Sequence, residues 1–433
     1  MWIPLEIESW FGCLPAIRVS NLEIAQSLGH EDINDRNRIA SSILKHTGIA
    51  QRRYAQSHQA ASDLASAAIK PLECDGADVC TLVVATTSPD VPSPATAHWV
   101  HRNLAWPSHI HCFDVMSSCS SFLSALRTST GFLEENKKAV VVATEVKHRG
   151  LAANDLRTRS LFADGSAGVV LSANMSRTSG LKFAYANTLS TLADRIVIPV
   201  GGSREPTSIK NIGRNVLEIH EPKNLFIQTV NEFKMAIEYC WEQRNKFLLA
   251  KNVDPIKTSG LIYLHQANAN ILWELKSRLV PEISCRIPVL MSDVGNMVCA
   301  SLPMVKLRSA ILENVLSECD VAQVTSLLDF KISLNEALGR AIVFNKDLNS
   351  YFYSVKSQFE TLVLNDLSLN SKSDCKNTFV NSLSDIELAS FREAWKKGRY
   401  TSENNCGKSV DILIAAGGGF QTLGFLSQRG FEI

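Results

Sequence analysis

Asp114-Val115-Met116-Ser117-Ser118-Cys119-Ser120-Ser121-Phe122 is the stretch on which the fold turns, because an apolar strand pattern gives way there to an apolar helix pattern with a cysteine at the junction. A thiol so placed faces the N–H groups of the helix's first turn, whose partial positive charge favours the thiolate. Downstream, Phe122, Leu123, Ala125, Leu126, Phe132 and Leu133 leave no polar face before Glu134. The spacing therefore predicts a helix over 120–135 that is buried on every side. Taken alone, the segment suits a nucleophile and a packing cysteine equally well, since free cysteine is among the most buried residue types.

Two later segments shift that balance. Gly260-Leu261-Ile262-Tyr263-Leu264-His265-Gln266-Ala267-Asn268 predicts a buried strand that delivers a histidine at its carboxyl end, where open α/β sheets place their chemistry. Asp293-Val294-Gly295-Asn296-Met297-Val298-Cys299 sets an asparagine on a glycine turn ahead of another helix. Near the end, Ile412-Leu413-Ile414-Ala415-Ala416-Gly417-Gly418-Gly419-Phe420 is a strand pattern closing in three glycines, which let backbone N–H groups approach a ligand with no side chain between. Such N–H groups suit one half of an oxyanion hole.

Taken in order, these residues resemble the β-ketoacyl carrier-protein synthase III branch of the thiolase superfamily. Thr47-Gly48-Ile49-Ala50-Gln51-Arg52-Arg53, Ala85-Thr86-Thr87-Ser88-Pro89-Asp90, Phe162-Ala163-Asp164-Gly165-Ser166-Ala167-Gly168 and Pro199-Val200-Gly201-Gly202-Ser203 are similar to further motifs of that family. The resemblance implies a thiolase-like α/β fold of two related α-β-α-β-α halves in five layers, with residues 1–178 carrying Cys119 and residues 179–433 carrying His265 and Asn296. It also implies catalysis by Cys119, His265 and Asn296, and an oxyanion hole from the N–H groups of Cys119 and Gly418. The expected reaction is a decarboxylative Claisen condensation of an acyl-enzyme with a malonyl- or β-ketoacyl-thioester, with no cofactor and no metal. Two alternatives use the same scaffold: an ester- or amide-forming acyltransferase, and a non-catalytic partner subunit of a synthase heterodimer.

Departures from the family's pattern bear on the substrate. Members that use coenzyme A often carry Trp and Arg where this chain has Ser42 and His46, and the family tends to place an Arg, where a carrier protein can dock, two residues beyond the H-Q-A-N motif where this chain has Asn270. His46, Arg157, Asn268 and Asn270 are thus the candidate substrate-binding residues, facing an acyl carrier protein or coenzyme A thioester. Together with the insertion described below, they suggest specialised lipid or polyketide biosynthesis.

Composition agrees with an enzyme of this kind. The chain has 433 residues, 45% of them hydrophobic, enough for a large core and more than one core normally holds. Lys and Arg number 44 against 43 Asp and Glu, so no basic field for nucleic acid exists. The start, Met1-Trp2-Ile3-Pro4, lacks a signal peptide's basic and apolar regions, and no stretch has the length of a membrane span. Eleven cysteines without a small-domain framework suit a reducing compartment. A cytoplasmic homodimer is expected, or a heterodimer with a paralogue. His109-Ile110-His111-Cys112 has metal-ligand residue types without the paired spacing of a closed zinc site.

Apolar runs at 81–87, 139–144 and 167–173 predict strands, and 62–70 a helix, in the first half. The second half shows a helical pattern over 222–249, the 260–265 strand, a helix over 271–279 and a strand over 411–416. The family usually needs only a helix and a short turn between its asparagine and its last glycine-rich strand, whereas more than a hundred residues separate Pro303 from Asp411 here, so the resemblance implies an insertion at about 317–388. Its spacing through Val321, Leu327, Leu334, Leu338 and Ile342 predicts helix, and 365–374 predicts a polar loop. It is expected to elaborate the surface or dimer contact, or else to lie over the substrate.

Overall fold

A computed structural model describes residues 1–72, 74–173, 177–318, 342–345, 350–356, 409–417 and 421–431. The chain begins with the long strand β1 (Ile3–Pro15), followed by β2 (Ile17–Ser20), helices α1 (Asn21–Ser27) and α2 (Ile33–Thr47), and β3 (Gln51–Tyr54). Next come α3 (Ala61–Ile69), β4 (Val79–Ala85), α4 (Thr96–Leu104), β5 (His111–Val115), α5 (Ser121–Ser129), β6 (Lys138–Glu145), α6 (Leu156–Leu161) and β7 (Gly165–Ala173). The later residues form β8 (Ser179–Thr188), β9 (Ile196–Val197), β10 (Glu218–Ile219), α7 (Pro222–Ala250), β11 (Ile262–Leu264), α8 (Ala269–Ser277), α9 (Pro281–Ser284) and α10 (Ser301–Glu318). Four strands follow: β12 (Ile342–Asn345), β13 (Ser350–Lys356), β14 (Ser409–Gly417) and β15 (Gln421–Arg429).

A four-strand order recurs, β4-β6-β7-β1 in the first set and β11-β14-β15-β8 in the second, with β5 an additional strand of the first. In the first set β5, β4 and β6 are parallel and β7 is antiparallel to both neighbours. From β8 onward β11 is parallel to β14 and β15 is antiparallel to both neighbours. The two sets meet where Ile3 pairs with Leu181 and Pro4 with Gly180.

Alternation along the strands sorts their side chains into layers. Leu82, Val84, Val140 and Val142 face α3 and α4, while Val83, Ala85, Val141 and Ala143 face inward. In the second set, Ile412 and Ile414 pack with α7 and α8, while Leu413 and Ala415 face inward. The two inward faces share α5 and α10, through Phe122, Leu123 and Leu126 of the one and Leu302, Val305 and Leu307 of the other. Both helices are covered from two sides, which is why neither shows a polar stripe. Helix α5 ends at Ser129, short of the predicted 135, because Gly131 and the polar 134–137 turn lead straight into β6.

Within the insertion, the described residues beyond the end of α10 are strands. Ile342, the last position of the expected helical spacing, opens β12, and β13 pairs antiparallel with β1 from Ser9↔Lys356 to Pro15↔Ser350. That is a correction: this part of the insertion extends the sheet, because the C-terminal part of β1 has its second edge open to a partner. Val321, Leu327, Leu334, Leu338 and residues 365–374 lie outside the described residues. Among the described residues, no helix is long and apolar enough to cross a membrane.

Gly168, in β7 between β1 and β6, has no room for a side chain. A Cβ there would lie 2.3 Å from the Val141 carbonyl oxygen and 2.9 Å from the Val142 Cα, both backbone atoms that cannot rotate away. Gly168→Ala is therefore expected to destabilise the fold by roughly 2–3 kcal/mol, read as a lowered urea midpoint with an unchanged m-value. An unshifted midpoint would show that the sheet gives way at little cost.

Candidate active site

Cys119 sits in the turn between β5 and α5, 9% exposed. The turn is tied to itself: Ser121 Oγ accepts from Ser117 N–H at 2.7 Å and donates to the Ser118 carbonyl at 2.6 Å, while the N–H groups of Ser120 and Ser121 reach the carbonyls of Ser117 and Ser118. Ser118 takes a left-handed backbone, φ +51°, a conformation sparsely used by residues other than glycine. The local bonds hold that turn and set Cys119 against the first turn of α5. Around the thiol pack Leu151, Phe162, Leu217 and Val298.

One of these neighbours, Val298, belongs to the segment carrying Asn296, and another, Phe162, pairs with it. Phe162 and Asn296 form a bridge, with Asn296 N–H donating to the Leu161 carbonyl at 2.9 Å and Ala163 N–H to the Asn296 carbonyl at 2.8 Å. The side chain, 3% exposed, accepts at Oδ1 from Val298 N–H at 2.9 Å, so its amide is oriented by the turn that follows. Gly295 makes this turn with φ +75°, where a Cβ would come within 2.9 Å of Ala163 and Arg52. The Cys119 turn and the Asn296 turn are thus brought together.

His265 follows β11, its N–H donating to the Ile414 carbonyl of β14 at 2.9 Å. Its imidazole is 2% exposed, and neither ring nitrogen has a hydrogen-bond partner among the described residues. Burial alone pushes its pKa down to about 4, so the ring is neutral at ordinary pH. Three residues beyond Ile414, β14 reaches Gly417, which pairs with Gln421 at the start of β15. The Gln421 side chain touches Ser117 and Ser120 on either side of Cys119. Gln421, paired with Gly417, therefore lies against the Cys119 turn; Gly418 is outside the described residues.

The candidate substrate-binding residues divide between two places. Asn268 caps α8 by accepting from Asn270 N–H at 2.8 Å, and the Asn270 amide donates to the His46 carbonyl at the end of α2, also at 2.8 Å. His46, Asn268 and Asn270 form one surface group. Arg157 stands apart on α6, its guanidinium donating to the Ile219 carbonyl of β10 at 3.2 Å. His111 and Cys112 lie on β5, and no group of three or more His, Cys, Asp or Glu close enough to hold a metal occurs among the described residues.

Sequence reasoning passed over Glu145 and Cys299. Glu145 is fully buried at the end of β6 and accepts from Thr87 N–H at 3.0 Å, the Ser88 hydroxyl at 2.5 Å and the Cys299 thiol at 2.9 Å. Burial first, and Glu145 next, push the Cys299 thiol well above its ordinary pKa, so this second cysteine stays protonated. The signal available in sequence was a lone acid at the end of an otherwise apolar strand.

Against known proteins, residues 113–188 match the family described as 3-oxoacyl-[acyl-carrier-protein (ACP)] synthase III. The acetoacetyl CoA synthase NphT7 of Streptomyces sp. (strain CL190) is 30% identical over 299 residues, 67% of this chain and 85% of that protein. The β-ketoacyl-[acyl-carrier-protein] synthase III of Clostridioides difficile (strain 630) is 29% identical over 270 residues, 60% of this chain and 78% of that protein. A crystal structure of a 3-oxoacyl-(acyl-carrier-protein) synthase III superposes with TM-score 0.65 at 19% identity, covering 99% of this chain and 100% of the other. OleA of Xanthomonas campestris superposes with TM-score 0.57 at 15% identity, covering 99% and 98%. The fold is thiolase-like.

His265 carries a pH signature. Folded, it stays neutral down to about pH 4, whereas the unfolded chain takes up this proton near pH 6.5. The unfolded state therefore binds more protons between those values, and stability falls as pH drops through the window. His265→Asn should reduce the loss of stability between pH 7 and 4.5 by about 2 kcal/mol relative to the parent, measured by urea unfolding at both pH values. Parallel pH dependences in the two proteins would show that the folded imidazole titrates normally.

Proposed function

We propose that this chain, which belongs to the β-ketoacyl-[acyl-carrier-protein] synthase III family of condensing enzymes, loads an acyl group on Cys119 and condenses it with the enolate of a malonyl- or β-ketoacyl-thioester. In the first half-reaction the Cys119 sulfur attacks a thioester carbonyl; a new C–S bond forms, the old one breaks, and the departing thiolate takes a proton. The N–H of Cys119 and one from the glycine turn, assigned to Gly418, receive the oxyanion, a contact worth roughly 3–4 kcal/mol when one donor is lost.

In the second half-reaction with a malonyl group, the bond to the carboxylate breaks and carbon dioxide leaves. The electron pair moves toward the thioester oxygen, where His265 and Asn296 donate hydrogen bonds. The enolate carbon then attacks the acyl carbonyl, and Cys119 departs as thiolate. The observation that carries this reading is the neutral imidazole of His265, whose ring nitrogens have no partner among the described residues. An imidazole with a pKa of about 4 is a weak base but keeps an N–H to give, which suits an enolate oxygen better than it suits deprotonation of an alcohol or amine. That preference favours condensation over ester or amide formation.

The same reading divides the chain into halves near residue 178, supported by the strand order that starts again at β8. It places the enzyme in specialised lipid or polyketide synthesis. Support comes from Ser42 and His46 at the coenzyme-contact positions and from Asn270, whose amide is already engaged by the His46 carbonyl.

Cys119→Ala should abolish both acyl loading and product, followed by intact-protein mass spectrometry after exposure to acyl thioesters. Acyl mass on the alanine variant would remove Cys119 from the role. His265→Ala and Asn296→Ala should keep loading within about tenfold of the parent while condensation falls by roughly 10²–10³-fold, because the lost donors serve the enolate. Equal losses in both half-reactions would point to His265 as a general base. With aromatic stacking and phosphate pairing missing at Ser42 and His46, carrier-protein thioesters should give a higher kcat/KM than matched coenzyme A thioesters. A preference for coenzyme A in that comparison would overturn the donor assignment.

A further inference from the structure

We propose that Gln421 is a positioning residue that fixes the Cys119 turn against the start of β15, and so sets where the Cys119 thiol and N–H stand when they meet the substrate carbonyl. The role rests on the condensing-enzyme reading above. Gln421 opens β15 and pairs with Gly417, the last rung of the hairpin whose tip is the glycine turn. Its Oε1 is in contact with the hydroxyl of Ser117 and lies 3.2 Å from that of Ser120.

Proton counting identifies the main bond. Each serine hydroxyl has one proton to give. Ser120 Oγ sits 2.7 Å from the Ser117 carbonyl oxygen and 3.2 Å from both Ser117 Oγ and Gln421 Oε1, so its proton belongs to the carbonyl, and the Ser117 hydroxyl lies nearer to Gln421 than to Ser120. The Ser117 hydroxyl proton is then the one that Gln421 receives. One amide oxygen thereby joins two chain segments about three hundred residues apart in sequence, at a turn that already holds Ser118 in a left-handed backbone.

The bonds within 117–121 shape the turn but do not place it relative to β15. Gln421 does. A shift of the order of 1 Å between a nucleophile and its oxyanion donors is enough to cost about 10²-fold in rate. Binding of the acyl donor, which is held elsewhere, should not change.

The test is single-turnover acyl loading, with rates normalised to Cys119 sites counted by iodoacetamide labelling. Gln421→Leu should lower the loading kcat by roughly 10–100-fold with KM for the acyl donor within about twofold. Ser117→Ala should give a similar loss, and the double variant Gln421→Leu/Ser117→Ala should lose no more than either alone, because both remove one bond. Loading by Gln421→Leu at the parent's rate, a loss confined to KM, or losses that multiply in the double variant would each overturn the role. A parent that takes up no acyl mass would instead sink the condensing reading, and the positioning role with it.

Discussion

Helix α5 is covered by two sheet faces at once, and the placement of Cys119 follows from that double burial. A helix with one solvent face tolerates rotation and fraying at its start. With Phe122, Leu123, Ala125 and Leu126 all fully buried, α5 has one rotational setting and one height between the layers. Its N-terminal N–H groups are consequently fixed in a region closed to bulk water, where their partial charge is least screened. The cost is a sharp entry, taken by Ser118 in its left-handed conformation and secured by the serine hydroxyls.

The other site segments arrive by the same logic. Parallel strands β11 and β14 run side by side from Ile262↔Ile412 to Leu264↔Ile414, so His265 follows β11 beside the stretch over which β14 continues to Gly417. Asn296 comes at the entrance to α10, the second helix shared by the two inward faces. The turn of Cys119 and that of Asn296 thus border the central layer. The candidate residues Cys119, His265 and Asn296 each stand at a strand end or ahead of a helix start, so none is carried on a long loop.

Much of this was legible in sequence where one physical rule governed the segment. Uninterrupted apolar runs at 81–87, 139–144 and 411–416 have no reading except strands covered on both faces, and all three are strands. Cys119, His265 and Asn296 stood out because each polar group falls just where an apolar run stops. Legibility failed where pairing rather than composition decides. Strand β1 mixes Glu6, Glu8 and Ser9 with apolar residues, and β8 mixes Lys182, Tyr185 and Asn187, so neither reads as a buried strand. Their places come from partners across the whole chain. Ile342 matched a helical spacing by chance, yet an edge of β1 awaiting a partner made β12 and β13 strands. Gln421 carries no signal in sequence, because its meaning lies in Ser117, a residue of the other half.

Two buried titratable groups show how the site differs from the core around it. Glu145 has no exposed surface, and its carboxylate is met by Thr87 N–H and hydroxyl, the Ser88 hydroxyl and the Cys299 thiol, as a buried charge requires. Its hydrogen-bonding demand is spent on holding the loop after β4 to the helix start at Cys299. His265 is almost as deeply buried, but its ring nitrogens have no such partners among the described residues, and it has answered burial by giving up its proton. A folded core normally satisfies its polar atoms, so an imidazole with both nitrogens unmet among the described residues is one that a substrate group can engage. The neutral ring can then give its N–H to an oxygen that becomes negative only as the reaction proceeds, which is the condition under which a hydrogen bond speeds the chemistry instead of merely holding the substrate.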